Sequence, residues 1–301
     1  MPTDLSGLAF TPDPLPSPYP DKRSSLDTGR GRDPSLRHNG HRREVDPRRD
    51  RISFQERLDR SLLDVGIYRV VSLRDLVKSH FDGHPYVARR AVDALKRDGL
   101  LIEHTLYGPK GAPFKALSLT PAGSALASQR AADQGLDPKQ ETWVGLVKKN
   151  EVDHDLAIYP AARAEIARLR KEGARIRRVR IDAELKQIVA KRSEAARARA
   201  GRQAADLERL QAARDLGLPI GEDGKVLYPD AQIEYDSPDG LSGRANVEVI
   251  SGAYRAGAIA AKATAGFSLY RKGRGLGLER HVDRRTAGGI AGARSEASIE
   301  L

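Results

Sequence analysis

The sequence predicts an α+β protein, and three observations carry that reading. Between Ser53 and Leu126, three short helical patterns precede two strand patterns around a Gly-Pro-Lys-Gly-Ala-Pro turn. From Arg163 to Arg214 the chain is rich in Ala, Arg, Glu, Leu and Lys, a composition that favours long helix. Beyond Gly217-Leu218-Pro219 its character changes to Gly-separated strands.

In the first helix Phe54, Leu58, Leu62 and Val65 recur at three- and four-residue spacing, and Gly66 closes the pattern. Ser72 is the expected N-cap of a short second helix, with Asp75 three residues on and Leu73, Leu76 and Val77 facing inward. His84-Pro85 opens a third helix, whose Val87, Ala91, Val92 and Leu95 point to the core while Arg89, Arg90, Lys96 and Arg97 decorate other faces. Gly99 stops it, Leu100-Leu101-Ile102 begins a strand, and 115–119 supplies the hairpin partner. Thr120-Pro121 starts a further helix.

Three helices and a hairpin in that order are the pattern of a winged helix-turn-helix. A helix that packs one side and presents cations on the other suits the major groove, where basic side chains meet phosphates and guanine edges. Arg89, Arg90, Lys96 and Arg97 are therefore the expected DNA-contacting residues. Lys110, between Gly108-Pro109 and Gly111 at the wing tip, is placed for a backbone phosphate. Double-stranded DNA is the expected partner, and no cofactor is required to bind it.

The 301 residues leave room for more than one domain and carry a formal net charge of +11. Residues 1–50 read as a disordered, Pro-rich tail whose charges nearly balance. Much of the excess comes from Arg163–Arg214, where sixteen Lys and Arg face seven Asp and Glu. The absence of Cys excludes a disulfide framework, a thiolate metal site and a cysteine nucleophile. No run of about twenty apolar residues predicts a membrane span, and no secretion signal opens the chain, so a cytoplasmic location is expected.

The expected organisation is a tail over 1–50, the winged helix-turn-helix over 51–130, a basic helical linker or dimerisation region over 140–216, a small α/β domain over 217–271 and a flexible basic tail over 272–301. In the helical region Ile181, Leu185, Ile188, Ala195, Ala196, Leu207 and Leu210 leave a thin apolar stripe. Such a stripe fits a long helix or hairpin laid against another subunit or nucleic acid, so a homodimer is expected. Adjacent residues do not face each other on a helix, and His154-Asp155 is accordingly read as structural.

In the last domain a Tyr228-Pro229-Asp230 approach leads to strand 231–236, a second strand runs through Ala245–Ile250, and a helix is expected from about Ala253 to Tyr270. Asp230 and Glu248, on neighbouring strands, can meet at one end of the sheet, and paired carboxylates can hold Mg²⁺ against a scissile phosphate. Glu234 and Asp236 are alternative partners by strand alternation.

Tyr228-Pro229-Asp230, Ile233–Asp236, Val247-Glu248-Val249, Lys262 and Tyr270 together resemble the replication-relaxation family of plasmids and integrative elements, over about Ser53–Arg271. That resemblance implies a winged helix followed by a domain similar to restriction-type nucleases, in which an Asp precedes a strand bearing Glu-any-Lys. Asp230 and Glu248 match the first two roles, and Ile250 stands in the lysine slot; Lys262 is the candidate replacement from the helix. The expected function is a sequence-specific DNA-binding protein, either a transcriptional regulator or a replication or conjugation accessory factor working with relaxosome or replication proteins. The alternatives are an Mg²⁺-dependent endonuclease, with Asp230, Glu248 and Lys262 as its catalytic residues, and a non-catalytic interaction scaffold.

Overall fold

The computed structural model describes residues 53–107, 113–146, 152–251, 254–272 and 278–280. Helices α1 (Phe54–Tyr68), α2 (Leu73–His80) and α3 (Pro85–Arg97) come first, with the two-residue strand β1 (Val71–Ser72) between α1 and α2. Strands β2 (Leu101–Tyr107) and β3 (Pro113–Leu119) follow, and then α4 (Pro121–Asp133). Side-chain caps start three of these helices. Ser53 Oγ accepts from Glu56 N at 3.1 Å, Ser72 Oγ from Asp75 N at 3.0 Å and Thr120 Oγ1 from Gly123 N at 3.0 Å. At the end of α3, Gly99 takes φ 69° while Leu100 N donates to Leu95 O, a left-handed stop that suits glycine.

Gly66, expected to end α1, lies inside it. A Cβ there would sit 2.9 Å from Leu119 Cδ1 and 3.1 Å from Thr142, so the glycine allows close packing. The helix ends two residues later, at Tyr68, and at Arg69 φ is 67° while Val70 N donates to Tyr68 O at 2.7 Å in a γ-turn. Beyond that turn β1 pairs with β3, Val71 opposite Leu117, giving the antiparallel order β1-β3-β2. The sequence pattern did not signal this short strand.

The second sheet runs β4-β5-β6-β7-β8. Helix α5 (Val152–Lys171) leads to β4 (Arg175–Ile181), and α6 (Asp182–Asp215) intervenes before β5 (Ala231–Asp236) and β6 (Ser242–Ile250). Helix α7 (Ala256–Thr264), β7 (Ser268–Lys272) and β8 (Leu278–Arg280) complete the order. Neighbouring strands are antiparallel except β6 and β7, which the α7 crossover makes parallel. Alternation divides the side chains: Val247, Val249 and Tyr270 join the core shared with α5, and Ile250, Phe267 and Leu269 pack with Ile259 and Ala263 of α7.

Four expectations are corrected here. Arg175–Ile181, placed within the helical region, is a strand: Ile176, Val179 and Ile181 are buried, and a bulge after Ile176 breaks the alternation that would have revealed it. The helix expected over 253–270 ends at Thr264; Gly266 turns the chain at φ 80°, and Tyr270 belongs to β7. Asp230, expected on a strand, stands just before β5, and residues 226–230 make a single bridge, Val226 to Ile220. Part of the expected C-terminal tail forms β8, with Arg280 opposite Tyr270.

One apolar core runs from Leu58 and Leu62 of α1 through Tyr159 and Ile166 of α5 to Val249 and Tyr270. The described residues belong to one compact unit, Arg51–Leu301. Polar contacts reinforce the junction. Asp64 Oδ2 accepts from Tyr159 OH at 2.9 Å and lies 2.7 Å from His80 Nε2, joining α1, α2 and α5. Gln140, after α4, covers the free edge of β4 by accepting from Val179 N at 2.9 Å and donating to Val179 O at 2.7 Å. Among the described residues no helix is long and apolar enough to cross a membrane.

Candidate functional site

Two groups of side chains stand out, one on α3 and one at the end of the larger sheet. On α3, Ala88, Ala91, Val92 and Leu95 are buried, which turns Tyr86, Arg90 and Arg97 to solvent. Tyr86 is 75% exposed, and the Arg90 guanidinium lies 5.8 Å from the Phe54 ring, itself 41% exposed and thus outside the apolar stripe expected of it. Arg97 Nε donates to Asp93 O at 3.4 Å.

The other two expected contact residues of α3 are engaged. Arg89 reaches Glu103 of β2 at 2.7 Å, Lys96 lies 3.6 Å from the same carboxylate, and Lys115 of β3 lies 3.3 Å from it. Burial opposes the charge on Glu103, but Lys115, Arg89 and Lys96 outweigh it and hold its carboxyl below the usual range. Arg89 and Lys96 thus fasten α3 to the hairpin, a role the sequence did not reveal because Glu103 sits fourteen residues from Arg89 on another element. Lys110 lies outside the described residues.

At the larger sheet, Asp230 stands immediately before β5 and is tied to the end of β4, since Asp182 N donates to Asp230 O at 3.2 Å. Its Oδ2 accepts from Val249 N at 2.8 Å, and its Oδ1 accepts from His154 Nε2 of α5 at 3.0 Å. Glu248 Oε2 accepts from Asp230 N at 3.3 Å, while Glu248 Oε1 pairs with Lys262 of α7 and accepts from Tyr254 OH. Lys262 also donates to Tyr228 O at 3.0 Å and lies 5.3 Å from the Phe267 ring. The three residues expected from the sequence, Asp230, Glu248 and Lys262, therefore come together.

Burial and the neighbouring Asp230 charge raise the Glu248 carboxyl above its usual range, against the pull of Lys262 and Tyr254. The hydrogen bond to Asp230 raises His154, against burial, so its protonated form is favoured. His154 is thus a member of the site through a contact spanning 76 residues, which its neighbour Asp155 could not signal. Tyr254 was also missed, because it lies on no periodic pattern. Ile250, in the slot where the resemblance implies lysine, is buried against Phe267 and Leu269. The alternative carboxylates are committed elsewhere: Glu234 pairs with Arg180 and Arg244, and Asp236 with Arg177 at 3.2 Å.

Among the described residues no group of three or more His, Cys, Asp or Glu is arranged to hold a metal ion. Two carboxylates alone suit a hard cation that keeps several waters, as Mg²⁺ does, but the Lys262 ammonium already pairs with Glu248. No protein-family model and no curated protein matches the chain.

Proposed function

We propose that this protein binds double-stranded DNA sequence-specifically through a winged helix-turn-helix made by α1, α2, α3 and the β2–β3 hairpin. The observation that carries the reading is the row Tyr86, Arg90 and Arg97 on the solvent side of a helix whose opposite side is fully packed. Arg89, Lys96 and Glu103 hold that helix against the hairpin, which fixes its angle to a groove. With the resemblance to the replication-relaxation family, this makes it a regulator or an accessory factor of DNA replication or transfer in a mobile element. The test is selection of bound duplexes from a random pool. A discrete enriched sequence, lost when Arg90 and Arg97 become Ala, supports the reading, and no retained duplex refutes it.

A second reading, metal-dependent DNA cleavage, is favoured by one observation: Lys262 meets Glu248 beside Asp230, supplying an ammonium where Ile250 cannot. Asp230 just before β5 and Glu248 on β6, with α7 next, also fit the nuclease-like domain that the resemblance implies. Asp230 and Glu248 would hold Mg²⁺, which when bound stabilises charge on a phosphate and acidifies a bound water. Lys262 keeps a proton-bearing group at Glu248, and Tyr254 donates to the same oxygen. DNA binding ranks first because each carboxylate is already engaged, Asp230 by His154 and Val249 N and Glu248 by Lys262 and Tyr254. Incubation of supercoiled and linear duplex with Mg²⁺, Mn²⁺ or chelator separates the readings. Metal-dependent cleavage abolished in both Asp230→Ala and Glu248→Ala would put the nuclease reading first.

A further inference from the structure

Strands β4 and β5 are antiparallel neighbours with Ile181 opposite Ala231, a join that a two-residue turn can make. Instead 49 residues, 182–230, leave the sheet and return to it. Most of this excursion is α6, which is two helical arms: Ala200 (φ −143°) and Gly201 (φ 81°) break the helix and fold it back on itself. Ser193 Oγ donates to Ala205 O at 3.0 Å across the arms, and Ala196 and Ala205 are buried in the distal half. Nearer the root, Leu185, Val189, Ala212, Ala213 and Leu218 close a small core.

Charge along this hairpin is unevenly matched. At its root Lys186 pairs with Asp182 at 2.6 Å, and midway Arg192 binds Glu208 at 2.6 Å and Asp215 at 2.7 Å. From Ala195 to Ala205, however, the chain has Arg197, Arg199 and Arg202 and neither Asp nor Glu. All three are exposed, and among the described residues none forms a salt bridge; Arg199 donates only to Ala195 O. The root is Asp182 and Asp230, so the hairpin springs from the Asp230–Glu248–Lys262 site itself. Its first arm, 182–199, carries the tip about 27 Å away at ~1.5 Å per residue.

We propose that this hairpin is a phosphate-binding arm whose tip, Arg197, Arg199 and Arg202, grips the backbone of duplex DNA held by the rest of the molecule. The proposal rests on the DNA-binding reading above and deepens it. A sheet does not need the insertion, its small residues Ala196, Ala205, Ala212 and Ala213 are buried although Leu207 is exposed, and three guanidiniums without a salt bridge match a polyanion in charge and in hydrogen-bonding form. Backbone contacts of this kind raise affinity for all sequences and leave preference to α3.

The test is a salt titration of binding to a labelled duplex carrying the selected sequence, comparing the wild-type chain with the Arg197→Ala, Arg199→Ala, Arg202→Ala variant. Alanine at exposed helical positions favours helix, so the variant keeps its fold, which circular dichroism checks. The expected result is weaker binding to selected and scrambled duplexes alike, with the log affinity–log salt slope flattened by about two to three units. Lysine at the same three positions should restore the slope. An unchanged slope and affinity, in a wild type that binds, would overturn the arm and leave the DNA-binding reading standing. Failure of the wild type to bind any duplex would instead remove both. Preference for single-stranded DNA or polyglutamate over duplex, lost in the same variant, would overturn the choice of duplex as occupant.

Discussion

Arg90 and Arg97 differ from Arg89 and Lys96 in that, among the described residues, no carboxylate forms a salt bridge with them. Changing Arg90 and Arg97 to Ala should cost about 1 to 3 kcal/mol at the preferred DNA sequence with little change in melting temperature. Arg89→Ala should act on the protein as well, lowering its stability by about 1 kcal/mol or less, because Lys96 and Lys115 still surround Glu103 and Arg89 is partly exposed. Equal stability losses from both variants would contradict this division of roles. Glu165 gives a separate check on the packing of α5 against β7. It is fully buried and accepts from Tyr270 OH at 2.7 Å, Ser268 Oγ at 3.0 Å and Arg168. Burial opposes its charge, yet Arg168, Tyr270 and Ser268 outweigh it and lower its carboxyl. A lowered carboxyl contributes stability that is fully present above its unfolded pKa, about 4.3, and is lost as pH falls through the folded value. Glu165→Gln should therefore cost about 2 to 3 kcal/mol at pH 7, with the gap to wild type narrowing below about pH 4. Denaturant titrations across that range would show parallel curves if the carboxylate were unimportant.

Among the elements, the first half was legible because its signals are local. Caps at Ser72 and Thr120, Pro85 at a helix start and Gly99 at a helix stop each act within a few residues. Gly66 and Gly123 show where local reading ends, since their reason is an approach by distant chain. A Cβ on Gly123 of α4 would fall 2.0 Å from Leu100 O, a backbone atom that cannot step aside. Gly123→Ala should therefore destabilise by about 3 kcal/mol, at the upper end of overpacking costs, as read by thermal or urea unfolding. Strand β4 was hidden because alternating Arg and apolar residues lie in a cationic stretch that composition assigns to helix, and tertiary pairing with β5 overrides that propensity. The fold-back of α6 turns on Ala200 and Gly201, and it is Gly201 whose backbone requires glycine. At φ 81°, ψ −169° it occupies a region open essentially to glycine, so Gly201→Ala should cost about 1 to 3 kcal/mol locally. Amide hydrogen exchange should speed up over 190–211 while the sheets keep their protection. Of the apolar stripe that suggested a dimer, Ile181, Leu185 and Ala196 are buried within the chain while Ala195 and Leu207 stay exposed, so a homodimer through this face stays a proposal that the mass in solution tests.

For the molecule as a whole, the shared core and the Asp64–His80–Tyr159 contacts make the α3 side and the sheet side parts of one compact unit. A ligand on α3 is then held in a fixed relation to the Asp230 site and to the arm that springs from it. Asp230, Glu248 and Lys262 were legible in the sequence as short motifs; His154, Tyr254 and Glu103 were not, because each enters by a contact between separated elements. Selection of duplexes from a random pool, run side by side with wild type and the Arg90→Ala, Arg97→Ala variant, tests the proposed DNA-reading role most directly. The expected result is one enriched sequence for the wild type and an unenriched pool, with residual salt-sensitive binding, for the variant. Retention of no duplex by the wild type, or the same enriched sequence from both proteins, would contradict it.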